Sequence, residues 1–132
     1  MNVAYLDTSC LVAVAFAEPG YQALAARLEG LDQRFASNLL EAELRAAMRR
    51  EGIGDGDALM DGLSWVLPDR PLSLELALVL EEGALRGADA WHLACALYLS
   101  PDPREMEFLT LDRRQAAVAR ALGFPLGDLT QG

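Results

Sequence analysis

The stretch Met1–Ser9, MNVAYLDTS, decides how this chain is read. Val3, Ala4, Tyr5 and Leu6 make a nearly continuous apolar run, the pattern of a strand buried on both faces in a parallel sheet. The run stops at a carboxylate, Asp7. Thr8-Ser9 then leads into CLVAVAFA at 10–17, which reads as a buried helix. In open parallel α/β sheets, ligands bind at the carboxyl ends of the strands, which is where this order of residues puts Asp7. Asp, Thr and Ser are also good helix N-caps, so the stretch by itself leaves two roles open for Asp7, cap or ligand-binding group.

Outward from it, strand-like and helix-like segments alternate. The spacing predicts helices over 11–17, stopped by Pro19-Gly20, over 21–28, and over 39–50, with Leu40, Leu44, Ala47 and Met48 on one face. Further helices are predicted over 58–66, stopped by Pro68, over 74–85, over the nearly all-apolar 88–99, and over 114–122. Short strands are expected at 34–37 and 107–111, with 123–126 a candidate for a last one. The 107–111 run ends at Asp112, as Leu6 ends at Asp7. No repeat, linker or low-complexity tract interrupts the pattern. Such alternation implies an α/β domain with a mostly parallel sheet, and 132 residues suit one domain over 1–132.

Composition narrows the function. Hydrophobic residues make up 52%, enough apolar material for three layers. The longest apolar run is the eight residues 10–17, against the roughly 18 that read as a membrane span. No basic region precedes an apolar one at the N-terminus, so a cytoplasmic protein without a membrane partner is expected. Cys10 and Cys95 lie inside apolar helical patterns without metal-site spacing and read as buried free thiols. Twenty acids face eleven bases, all of them Arg, for a net charge of −9. That balance opposes ordinary electrostatic binding of nucleic acid, so an RNA or DNA role must account for it. Either several acids form a metal site, or the acidity attracts a basic protein partner.

Four acids are anomalous for their places. Asp7 and Asp112 end apolar strands, Asp89 opens the most apolar helix in LRGADAWHLACAL, and Glu43 lies in SNLLEAELRAAMRR. Parallel strands put Asp7 and Asp112 on one sheet edge, and a helix entering from that edge brings Asp89 there. Taken singly, Asp89 and Asp112 read equally as N-caps and Glu43 as a solvent-facing charge. Together in one pocket, carboxylates raise one another's pKa and stay ionised only with a counter-charge. Oxygen ligands without Cys or His clusters suit Mg²⁺ or Mn²⁺. One or two such ions can polarise a phosphodiester, activate water and stabilise the leaving oxygen.

Other chemistries fit less well. The single histidine, His92, cannot form the acid–base pair of a metal-free ribonuclease and reads as a helix residue hydrogen-bonded in place. Trp65 and Trp91 read as core or interface. No nucleophile elbow, P-loop or dinucleotide glycine fingerprint is present. A receiver domain would need a Lys, and the chain has none; a haloacid-dehalogenase-type phosphatase would want an Asp where Ser9 stands.

YLDTS, the S-x-L-x-x-x-E of Ser37–Glu43, ADAWHLACAL and FLTLD, in this order over nearly the whole chain, resemble the PIN-domain family, in particular its bacterial VapC-type ribonuclease toxins. Asp7, Glu43, Asp89 and Asp112 match the family's four acids. Glu41 is the rival for the second, but the spacing from Ser37 and the following Leu44-Arg45 favour Glu43. Thr8-Ser9 matches the polar pair after the first acid, and Thr110 the threonine two before the last. The resemblance implies a three-layer α/β/α sandwich and Mg²⁺- or Mn²⁺-dependent endonucleolytic cleavage of RNA, typically structured RNA such as tRNA or rRNA. It implies Asp7 and Asp89 as main metal ligands, with Glu43 and Asp112 completing the pocket. It also implies a cognate antitoxin that presents a basic residue to the pocket, and a homodimer. A PIN-fold protein that binds RNA or a partner without cleaving it is the alternative.

Overall fold

The structure, a computed structural model, describes residues 1–127. Its sheet has strands β1 (Val3–Leu6), β2 (Gln33–Ser37), β3 (Leu63–Val66) and β4 (Glu107–Leu109) in the order β3-β2-β1-β4. Every pairing is parallel, with Tyr5 opposite Phe35 on one side and Phe108 on the other. The apolar run of β1 thus takes the inner position, where both faces and both edges are covered.

Period-two alternation assigns the faces of the sheet. Ala4, Leu6, Ala36 and Leu109 join one core with α1 (Thr8–Ala15), α2 (Tyr21–Glu29), α3 (Asn38–Glu51) and the single turn α4 (Asp57–Met60). Tyr5, Val66 and Phe108 join the opposite core with α5 (Ser73–Glu82), α6 (Gly87–Leu99) and α7 (Arg113–Leu122). Helices on both faces make the three-layer α/β/α sandwich. Burying each large side chain such as Leu6, Leu40 or Leu93 contributes about 1.5–3 kcal/mol, so the four residues of β1 are held from both layers. The stacked rings of Tyr5 and Phe108, 5.4 Å between centroids and 8° from parallel, bridge β1 and β4 inside the second core. Cys10 and Cys95 are buried free thiols, as expected.

The structure corrects several boundaries. The helix expected over 58–66 is instead α4 and the edge strand β3, separated by Gly62 at φ +81°. Leu59, Met60, Leu63 and Val66 have helical spacing, but Trp65 and Val66 pair with Ala36 and Ser37 of β2. Helix α1 starts three residues earlier than expected because Asp7 caps it. Helix α5 ends at Glu82 rather than 85, and Gly87 begins α6 rather than separating it from α5. Strand β4 ends at Leu109, so Thr110 and Leu111 leave the sheet before Asp112. Residues 123–126 form no strand; Phe108 N–H donates to the Pro125 carbonyl at 2.8 Å and the pairing goes no further.

Candidate functional site

At the carboxyl edge of the sheet, β1 and β4 part. Asp7 N–H donates to the Leu109 carbonyl at 2.9 Å, and beyond that bond the chain turns into α1. Asp7 is a true N-cap: its Oδ2 accepts from Ser9 N–H at 3.1 Å. It is also 5% exposed, and its other oxygen, Oδ1, lies 3.8 Å from His92 Nε2, so capping does not exhaust it. Asp112 is likewise a cap, accepting at Oδ1 from Gln115 N–H at 2.8 Å. Asp89 is not a cap. Arg86 holds that position, and Asp89 sits in the first turn of α6, where the helix dipole favours negative charge. Glu43 is not a solvated charge either. Its Oε1 accepts from Thr8 Oγ1 at 2.7 Å and faces His92 Nε2 at 2.9 Å. Glu41, two residues before, is bound elsewhere, to Arg45 and Asn38.

The acids influence one another's charge. Burial raises the Asp89 carboxyl above its ordinary value, and the charges of Asp7, Asp112 and Glu43 raise it further, against a smaller opposing effect of His92. Glu43 moves the other way: the hydrogen bond from His92 holds it below its ordinary value despite partial burial, with Thr8 adding to the effect. The surface around them is divided. Asp89 and Asp112 line a cleft of about 420 Å³ together with Arg86 and Arg114. Glu43 and Thr8 line a groove of about 570 Å³ whose walls include Val12, Phe16, Ala46 and Arg50.

No group of three or more His, Cys, Asp or Glu side chains among the described residues is arranged to cage a metal ion. Two carboxylates suffice for Mg²⁺, which keeps several waters and takes further oxygens from a phosphate. Carboxylate oxygens, as on Asp7 and Asp89, are the donor chemistry that such an ion takes.

Below the carboxylates lies a web of buried polar groups. Thr110 has one hydroxyl proton and two acceptors in reach, Gln115 Oε1 at 2.7 Å and Asp7 Oδ2 at 3.2 Å. Its oxygen accepts from Asp112 N–H at 3.0 Å. Ser9 Oγ, 3.3 Å from Thr110, accepts from Leu111 N–H. Gln115, fully buried, donates from Nε2 to the Asp89 carbonyl at 3.1 Å, and so ties α7 to the start of α6. On the other side, Tyr5 Oη accepts from Ser37 N–H at 3.0 Å and meets His92 Nδ1 at 3.0 Å. Gln115 and Tyr5 carry no sequence signal for these roles, because a buried Gln in a helix and a Tyr in a strand read as packing. His92 is hydrogen-bonded in place, as expected, but against Glu43 itself.

A family model described as "PIN domain" matches residues 4–121. Two curated relatives from Mycobacterium tuberculosis are each 32% identical over 136 residues, covering 93% of this chain and 93% of theirs. They are ribonuclease VapC45 of strain CDC 1551 / Oshkosh and ribonuclease VapC49 of strain ATCC 25618 / H37Rv.

Proposed function

Because the chain belongs to the PIN-domain family, we propose that it is a Mg²⁺- or Mn²⁺-dependent endoribonuclease, the toxin of a toxin–antitoxin pair, acting on structured RNA such as tRNA or rRNA. The observation that carries the reading is the placing of the acids at the carboxyl edge of the sheet: His92 Nε2 lies 3.8 Å from Asp7 Oδ1 and 2.9 Å from Glu43 Oε1, and Asp89 and Asp112 line one cleft. Asp7 and Asp89 would hold the ion, with Glu43 and Asp112 completing the acidic pocket. A bound divalent ion supplies polarisation of the phosphodiester and a more acidic water. Thr8 and His92 hold Glu43 in place from two directions. Asp7 and Asp112 stay fixed because each caps a helix while facing the site.

The acidity of the chain need not bar RNA. Arg86 and Arg114, which flank Asp89 and Asp112, make no ion pair among the described residues. Both sit at the N-terminal ends of helices, where the dipole disfavours a cation. A local rule broken without a compensating contact points to function, and two cations beside a metal-binding edge suit the phosphates of an RNA strand.

The groove beside Glu43 offers an apolar wall to a cognate antitoxin, and the net charge of −9 favours a basic residue from that partner. Leu74 and Leu78, four apart on α5 and 76% and 54% exposed, suit a homodimer. No helix among the described residues is long and apolar enough to cross a membrane.

The test is incubation of purified, antitoxin-free protein with total RNA and mapping of the ends. The expected result is cleavage that stops in EDTA, returns with Mg²⁺ or Mn²⁺, and leaves 5′-phosphate and 3′-hydroxyl. Cleavage that persists in EDTA, or none on any RNA, overturns it in favour of a binding protein or a contaminant.

A further inference from the structure

Resting on the metal-dependent ribonuclease reading, we propose that Tyr5 and His92 form a positioning relay: the Tyr5 hydroxyl locks the imidazole as its Nε2–H tautomer, and that N–H fixes one oxygen of Glu43. The polarity follows from the donors on the page. The backbone N–H of Ser37 can only donate, so it uses Tyr5 Oη as its acceptor at 3.0 Å. Among the described residues, the nitrogen within hydrogen-bond distance that can accept the one phenolic proton is His92 Nδ1, also at 3.0 Å. With Nδ1 accepting, the ring proton resides on Nε2, which donates to Glu43 Oε1 at 2.9 Å and leans on Thr8 Oγ1 at 3.2 Å. The reverse tautomer takes the Nδ1 acceptor from the phenolic proton and sets a bare nitrogen against a carboxylate oxygen. In a buried network such an arrangement carries the cost of unpaired groups.

The chain of bonds crosses five elements, β2 to β1 to α6 to α3, with Thr8 of α1 closing on the same oxygen. Both relay side chains are buried, Tyr5 fully and His92 at 1% exposure. Glu43, by contrast, is a flexible side chain with 36% exposure on a helix surface. Thr8 alone would leave it one contact. Two donors on Oε1 set its direction and leave Oε2 without a hydrogen bond among the described residues. The relay is therefore a device for presenting Glu43 to the acidic pocket in a fixed orientation.

The chain has one histidine, so the imidazole nitrogens of His92 can be read alone in the intact protein by long-range ¹H–¹⁵N NMR in Mg²⁺. The expected spectrum has a protonated Nε2 and a bare, hydrogen-bonded Nδ1. Tyr5→Phe should lose that pattern and lower kcat about 10–100-fold, the usual effect of removing an outer support, with KM unchanged, on an oligonucleotide spanning a cleavage site mapped on total RNA. His92→Gln, which offers an amide N–H near the same point without needing Tyr5, should retain more activity than His92→Ala. Tyr5→Phe added to His92→Gln should cost nothing further in kcat. A wild type with a protonated Nδ1 overturns the relay, as does a Tyr5→Phe protein with altered tautomer and unchanged kcat. Should Tyr5→Phe fail to fold, equal activities of His92→Gln and His92→Ala overturn it as well. A wild type with the expected tautomer that cleaves no RNA overturns the ribonuclease reading and with it the positioning role, and the spectrum tells the two failures apart.

Discussion

Thr110 donates its hydroxyl proton to Gln115 Oε1 at 2.7 Å, and through this bond the end of β4 is tied to α7 directly beneath the carboxylates. Gln115 returns the connection by donating to the Asp89 carbonyl. One buried amide thus joins the segment carrying Asp112 to the helix carrying Asp89. Gln115→Leu keeps the volume and removes both bonds. Each of the two lost bonds contributes about 0.5–1.5 kcal/mol, although the Thr110 proton can still turn to Asp7 Oδ2. Thermal unfolding should show a midpoint lower by several degrees; an unchanged midpoint would mean the web is redundant.

Asp89 should trade stability for function. Its carboxyl is raised above the ordinary value of 3.8, chiefly by burial and then by Asp7 and Asp112. The folded state therefore binds that proton more readily than the unfolded chain. Its penalty is fully present at neutral pH and disappears as pH falls through the raised value to below 3.8. Asp89→Asn should raise the apo melting temperature at pH 7, lose the further rise that Mg²⁺ or Mn²⁺ gives the wild type, and cut cleavage by about 100-fold or more. Asp7→Asn should behave alike, since Asn still caps α1. A mutant that keeps the full metal response is not missing a ligand.

Glu43 has the opposite sign. The His92 hydrogen bond lowers its carboxyl below 4.5, so its contribution to stability is present above 4.5 and is lost as pH falls through the lowered value. Substituting His92→Ala removes the larger lowering influence and leaves Thr8. A carboxyl ¹³C titration should then place Glu43 higher than in the wild type. An unmoved titration would show that Thr8 suffices.

Arg86 and Arg114 should appear in the salt dependence of RNA binding. Each phosphate contact on a single strand contributes about −0.7 to the slope of log K against log salt. With a mixed-sequence RNA oligonucleotide in Ca²⁺, Arg86→Gln and Arg114→Gln should each flatten the slope by about that amount. Arg120→Gln, in the last turn of α7, should leave it alone. Equal slopes for all three would remove these arginines from the RNA path.

How far the molecule was legible depended on whether a residue's environment was local. Asp7 was legible because an apolar strand ends on it, and the same logic reached Asp112 although β4 stops three residues short. The layered α/β architecture followed from alternation alone. The edge strand β3 did not, because its half-buried residues keep a helical spacing that only pairing with β2 overrides. Likewise, nothing near Gln115 in sequence announces full burial, and nothing near His92 announces Glu43, 49 positions away. Capping is the alternative to function that the sequence leaves open for Asp7 and Asp112, yet both residues cap a helix and face the site at once.

The stacked pair of Tyr5 and Phe108 has a consequence for large-scale mutagenesis. The ring of Tyr5 belongs to the hydrophobic interior while its oxygen touches His92. A smaller residue at 108 lets that ring tilt, and the hydroxyl moves with it. In a saturation map of cleavage activity, Phe108 would score with the carboxylates, even among variants that remain folded. A heat map of that kind, taken at face value, would draw the boundary of the active site through the middle of the core.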